Sequence, residues 1–259
     1  MPGRSSIEWT HSTWNPVTGC TKVSRGCDNC YAHTLAHRRL SNLYRRALPV
    51  VDTSENRRDP FAVRIWPDRL EQPASWREPR MIFVNSMSDM FHADIPDEFG
   101  RRVFEVMLNA DHHIFQVLTK RPARAVRFLR KHKDLLGPSG VLPEHIWIGT
   151  SIEDQDVTYR LDHLRSVPTS VRFLSCEPLL GPLQLDLTGV HWVIVGGESG
   201  PGHRPMDESW VITIRDACLE AKVPFFFKQW GGRTPKSGGR ELSRRTWNQF
   251  PRGAVAVRS

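Results

Sequence analysis

Six short stretches of the chain are apolar at nearly every position: MIFVNS (81–86), HIFQVLT (113–119), IWIGTS (146–151), VRFLSCEP (171–178), HWVIVGGE (191–198) and VPFFFKQW (223–230). Each has the length of a strand and few of them alternate cleanly, which predicts parallel strands buried on both faces. Between them the spacing lengthens to that of helices. Residues 96–109 (PDEFGRRVFEVMLN) place Phe99, Val103, Phe104, Val106 and Met107 largely along one face, with acids at the start. Residues 121–133 form a basic helix with Pro122 in its first turn, and 154–167 and 207–221 complete the set, the last opening on Asp207 as a cap. Strand and helix alternate, so the pattern predicts a parallel α/β fold, either a barrel or an open sheet.

Two segments fall outside this rhythm. Residues 44–80, rich in Arg, Pro and Trp, read as an inserted loop region or lid within a unit spanning 1–230. Residues 231–259, with GGRTPKSGGR and a basic end, read as a flexible or weakly packed C-terminal extension.

The polar residues cluster where the strands end. Asn85, Ser86, Ser88 and Asp89 follow the first run, and Thr119, Lys120 and Arg121 the second; then come Thr150, Ser151 and Glu153. Ser175, Cys176 and Glu177, then Gly196, Gly197, Glu198 and Ser199, and finally Lys228 and Gln229 complete the series. Parallel strands in a barrel open all their carboxyl ends onto one face, where active sites form, so the set reads as a ligand site. Glu177 needs a partner there, and Lys228 is the candidate. Gly196 and Gly197 let backbone approach a ligand closely, or simply make a turn. Cys176 is either a hydrogen donor or a small buried hydrophobe, and Cys218 reads as core.

With 259 residues, 39% hydrophobic and 25% charged, the chain has the composition of a globular protein. No apolar run approaches the ~20 residues of a membrane helix and the first residues do not resemble a signal peptide, so a cytoplasmic location is expected. A net charge of +8 points to an anionic partner, nucleic acid first, or to a basic solvated surface. Lys120, Arg121 and Arg124 at a helix start are candidates to grip phosphate. Trp14, Trp66, Trp76 and Trp230 either stack on bases or pack.

Five cysteines, an odd number, do not suggest a disulfide framework. Three of them, Cys20, Cys27 and Cys30, lie in GCTKVSRGCDNCYAH after an extended stretch, which puts them on a loop at the same open face. The spacing fits three thiolates on an iron–sulfur cluster with one iron left open, and equally a zinc site closed by His33.

The segments IEWTHSTWNPVTGCTKVSRGCDNCYA, NSMSDMFH, LTKRP, IWIGTSIE, LSCEPLLGP, VGGESGPGHRPM and FFFKQWG resemble the phage Gp37/Gp68 family, itself similar to radical S-adenosylmethionine proteins. Those carry Cys-x3-Cys-x2-Cys after the first strand; this chain keeps the x2 gap and has x6 in place of x3. The resemblance implies a partial (β/α) TIM-type barrel, a [4Fe–4S] cluster on Cys20, Cys27 and Cys30, and S-adenosylmethionine on the open iron, cleaved to a 5′-deoxyadenosyl radical. Cofactor contacts are expected from Asn85, Ser86, Asp89, Thr119, Ser151, Glu153, Gly196, Gly197 and Glu198. The Gly-Gly-Glu follows a late strand here, whereas the family-typical motif follows the second, so Asn85, Ser86 and Asp89 occupy the position that would serve the cofactor.

Catalytic roles are expected for Cys176, Glu177 and Lys228, and nucleic-acid contacts for Lys120, Arg121, Arg124 and Trp230. An electron donor such as a flavodoxin or ferredoxin is implied. A distant resemblance to spore photoproduct lyases directs the expected activity to DNA repair, on a photoproduct or damaged base. Two alternatives stand beside it: a non-catalytic zinc or iron–sulfur nucleic-acid-binding protein, and an iron–sulfur enzyme on nucleic acid that does not use S-adenosylmethionine.

Overall fold

A computed structural model describes residues 5–255. In chain order its strands are β1 (Ser12–Trp14), β2 (Val17–Thr18), β3 (Arg64–Ile65), β4 (Met81–Val84), β5 (Ile114–Thr119), β6 (Ile146–Ser151), β7 (Arg172–Cys176), β8 (Trp192–Gly196), β9 (Phe225–Gln229), β10 (Glu241–Leu242) and β11 (Arg245–Thr246). The helices are α1 (Tyr31–Arg38), α2 (Ser41–Tyr44), α3 (Ser54–Arg58), α4 (Asp97–Asn109), α5 (Pro122–Lys131), α6 (Arg160–Arg165), α7 (Glu208–Glu220) and α8 (Arg252–Val255). Seven strands form one sheet in the order β1-β4-β5-β6-β7-β8-β9, every pair parallel, curled into a half-barrel. All six apolar runs are strands of it.

Both faces of this sheet are covered, which is why its strands read as continuous apolar runs. One face packs Ile82, Val117, Ile148, Leu174, Val195 and Phe227 against residues of α4 to α7 such as Phe104, Leu129, Leu164 and Ile214. The other is aromatic, with Phe83, Trp147, Phe173, Trp192 and Phe226. Trp9 and Ala254 cover it from the two ends of the chain, with Phe250 stacked on Trp192 at 5.2 Å. The extension after Gly231 is therefore not weakly packed in its described part: Leu242 and Ala254 are fully buried and Trp247 nearly so. Residues 256–259 of that extension, like residues 1–4, lie outside the described residues.

The 44–80 segment packs closely. β3 pairs antiparallel with β2, and the buried Arg64 guanidinium donates to the carbonyls of Ala47, Asn56, Asp59 and Ala62. Trp14 and Trp66 belong to this packing and not to a stacking surface: their indole N–H groups reach the Arg69 carbonyl at 2.7 Å and Thr18 Oγ1 at 2.8 Å. The helix expected over 154–167 is a 3-10 turn, Gln155–Val157, followed by α6. Asp154, Asp156 and the β-branched Val157 and Thr158 are poor helix formers at its start. Among the described residues no helix is long and apolar enough to cross a membrane.

Candidate active site

After β2 the chain turns at Gly19, whose φ of +88° and the Ala62 carbonyl 2.2 Å from where a Cβ would stand allow only glycine. Gly19 bridges to Ser88 beyond β4, so the cysteine loop leaves the sheet at its carboxyl edge. Cys27 closes a 3-10 turn and Cys30 caps α1, and all three thiols are unpaired and partly exposed. Ala32, Ala36, Phe61 and Met87 back the loop, with Cys20 and Cys30 packed against them.

Three acidic residues from three strand ends hold this loop. Asp89, after β4, accepts from Thr119 Oγ1 at 2.7 Å, from the Lys120 backbone at 3.0 Å and from Arg121 Nη1 at 2.9 Å. Arg121 then donates to Cys20 Sγ at 3.5 Å and to the Thr21 carbonyl at 3.0 Å. Glu153, after β6, is fully buried; it accepts from Arg160 at 2.8 Å, from Ser24 of the loop at 2.9 Å, and from Lys120. Gly26 packs over that carboxylate, because a Cβ would stand 2.4 Å from Glu153 Cγ. Glu198, after β8, takes Arg204 through both Nη2 (2.6 Å) and Nε (3.0 Å) and accepts from Asn29 of the loop at 2.8 Å. Burial works against its ionisation, yet Arg204 and Asn29 hold its carboxyl below the usual range.

These partners revise several sequence-based roles. Asp89, Thr119, Glu153 and Glu198 lie at the expected face but are engaged in holding the loop. Lys120 and Arg121 turn inward onto Glu153 and Asp89 and so do not form a solvated, phosphate-gripping surface. Asn85, with φ of 60°, is a buried turn residue whose Oδ1 accepts from the Val17 N–H at 3.3 Å. Gly197 is accounted for by the Trp230 carbonyl, 2.0 Å from its Cβ position, and Gly196 by Glu177 Oε1 at 2.8 Å. Cys176 points to the helix side, fully buried with Cys218 in the main core, away from the mouth.

What remains is an inner wall. Ser151, Ser175 and Lys228 alternate with core residues and share the face of the aromatic layer, one step above it. Glu177 stands with them, paired to Lys228 at 2.9 Å, as the sequence suggested, and to Ser175 Oγ at 3.1 Å. Ser86 donates to Asn15 Oδ1 at 3.2 Å, and its carbonyl accepts from the Tyr31 hydroxyl. The Tyr31 ring is 55% exposed, but burial of its hydroxyl, then the nearby Cys30 and Glu177, push its titration upward. Trp230 is half-buried, edge-on to Phe227 and donating to the Glu241 carbonyl at 2.8 Å. Sequence reasoning missed Tyr31, Asn29, Arg160 and Arg204. Asn29 and Tyr31, on either side of Cys30, and Arg160, seven residues after Glu153, carried a local signal; Arg204 carried none.

The thiols differ from one another. Burial, then Asp89, pushes Cys20 up to about 11, with Arg121 opposing. Burial also raises Cys27, but a backbone hydrogen bond at Val23, the charge of Lys120 and Ser24 outweigh it and the net shift is downward. Burial lowers Lys120 to about 8, with Arg160 adding to the fall and Cys27 opposing it. His33 stacks on His37 at 4.1 Å and meets Phe61 edge-on at 5.3 Å. Among the described residues no three of His, Cys, Asp and Glu are gathered around a point where one metal ion would sit.

Residues 4–251 match the family described as "Protein of unknown function (DUF5131)". No curated protein matches the chain. Among solved structures, "Spore photoproduct lyase complexed with dinucleoside spore photoproduct" is similar with a TM-score of 0.44 and 14% identity, over 83% of this chain and 64% of that one. The chain thus spans less than two thirds of that protein's length.

Proposed function

The chain belongs to this family of unknown function, and from that premise we propose an iron–sulfur enzyme of the radical S-adenosylmethionine type acting on nucleic acid, with a damaged base or photoproduct as substrate. The observation that carries the reading is the loop of three unpaired thiols held at the carboxyl edge of a parallel half-barrel by Asp89, Glu153 and Glu198. The net charge of +8 supports an anionic substrate.

The residues fit a cluster on chemical grounds. Cys20, Cys27 and Cys30 are soft sulfur donors, with Arg121 against Cys20 and the charge of Lys120 acting on Cys27. All three lie on one loop, unpaired and partly exposed, so they would be the residues to hold the cluster. When bound, a [4Fe–4S] cluster supplies the electron for reductive cleavage of S-adenosylmethionine at its open iron.

The protein's own share is positioning. Lys228 and Ser175 fix the Glu177 carboxylate so that it accepts hydrogen bonds from a donor on the ligand in one orientation. Ser151 and Ser175 offer small polar contacts on the same wall. The aromatic layer beneath, Trp147, Phe173 and Trp192, keeps water from entering from below.

Anaerobic reconstitution with iron and sulfide tests this. The expected result is a coloured protein with iron and sulfide in equal amounts, lost in Cys20→Ala, Cys27→Ala or Cys30→Ala, that forms 5′-deoxyadenosine when reduced. Colourless protein carrying one zinc, or cluster-loaded protein that leaves S-adenosylmethionine intact, would overturn it.

A further inference from the structure

A cavity of about 200 Å³ lies between the segment after β4 and helices α4 and α5, outside the mouth just described. Its wall carries Arg124, Arg127 and Lys131 against the single carboxylate of Asp97, and its apolar lining includes Phe91 and Phe128. The three cations recur at helical spacing, so they line one flank of α5 while Ala125, Val126 and Leu129 face the core. Arg124 uses only Nε, on the Phe91 carbonyl at 2.8 Å, and Arg127 has no hydrogen bond or ion pair among the described residues. Lys131 pairs with Asp97 at the rim.

The row has a direction. Arg121, one turn before Arg124, is the residue that touches Cys20. His92 lines the cavity, and its Nε2 meets Thr21 Oγ1 of the cysteine loop at 2.8 Å. From Arg124 to Lys131 is seven residues, a rise of about 10 Å. A line of cations of that length complements a linear polyanion better than a compact anion, and a slot this small between two helices admits one strand and not a duplex.

We propose that the α4–α5 cavity, through Arg124 and Arg127, binds the phosphodiester backbone of a single-stranded stretch of nucleic acid, so that the adjoining nucleotide is delivered to the thiol loop. This rests on the nucleic-acid reading above and names where that substrate is held.

The test is fluorescence anisotropy of a short labelled single-stranded oligonucleotide on the full chain at several salt concentrations. Arg124→Gln with Arg127→Gln should weaken binding at least about tenfold, and flatten the dependence of log affinity on log salt by about 1.4, some 0.7 for each phosphate no longer neutralised. Arg127→Gln alone, at an exposed position without partners, should give about half that slope change with unaltered thermal unfolding. Arg130→Gln, which removes the same charge from the same helix outside the cavity, should leave both quantities close to wild type. Unchanged affinity and slope in the Arg124/Arg127 variant of a protein that binds the oligonucleotide would overturn the proposal alone, as would an equal loss from Arg130→Gln or tighter binding of a blunt duplex. Absence of any binding by the wild-type chain would overturn the nucleic-acid reading itself.

Discussion

At the scale of the residue, the site is built from carboxylates that act on a loop. Glu153 is the most consequential, because Arg160 and Lys120 both depend on it and all three are largely out of solvent. Glu153→Gln leaves Arg160, 1% exposed, without a counter-charge, so it should cost about 3–5 kcal/mol, read by urea unfolding. The cysteines give a pH signature in metal-free protein, since thiolate is the reactive form. Cys27, shifted below its ordinary value, should alkylate with iodoacetamide first near pH 8. Cys20, whose titration lies at about 11, should gain about tenfold in rate per pH unit up to that value. Cys176 and Cys218, both fully buried and both shifted upward by that burial, should label only after denaturation. Peptide mapping by mass spectrometry reads all four, and fast labelling of Cys176 in folded protein would contradict its place in the core.

At the scale of the element, the strands were legible because burial on both faces leaves a local mark in the apolar runs of residues 81–84, 114–119 and 192–196. The polar strand ends were legible for the same reason, since each follows its run directly. Their partners were not. That Glu198 should meet Asn29, or Glu153 meet Ser24, depends on the curl of the sheet and on no feature near either residue. The glycines show the same limit: Gly197 reads as a ligand-approach residue, while its actual neighbour is the backbone beyond β9. There the chain continues the β8–β9 pairing past the strand ends, with Gly232 N–H on the Glu198 carbonyl at 3.0 Å and Gly197 N–H on the Gln229 carbonyl at 2.9 Å. Gly197→Ala would drive a methyl into the Trp230 carbonyl, and should lower stability by at least about 1–3 kcal/mol, seen as a fall in Tm.

At the scale of the whole molecule, the half-barrel leaves one aromatic face to be covered, and the two ends of the chain cover it. Deleting residues 231–259 removes Phe250 and Ala254 from Trp192 and Phe226 and uncovers that layer, and it also takes Trp247 from Phe225 on the helix side. The truncated chain should aggregate or lose cooperative unfolding, followed by circular dichroism and light scattering; a soluble, cooperatively folding fragment would contradict this role for the extension. The grip on the cysteine loop has a consequence in time as well as in space. Cys20 to Arg121 spans 101 positions of sequence, Ser24 to Glu153 spans 129, and Asn29 to Glu198 spans 169. Contacts of such separation close late. The loop precedes each of these partners in the chain, so its three thiols stay unconstrained by them until Arg121, Glu153 and finally Glu198 have been made.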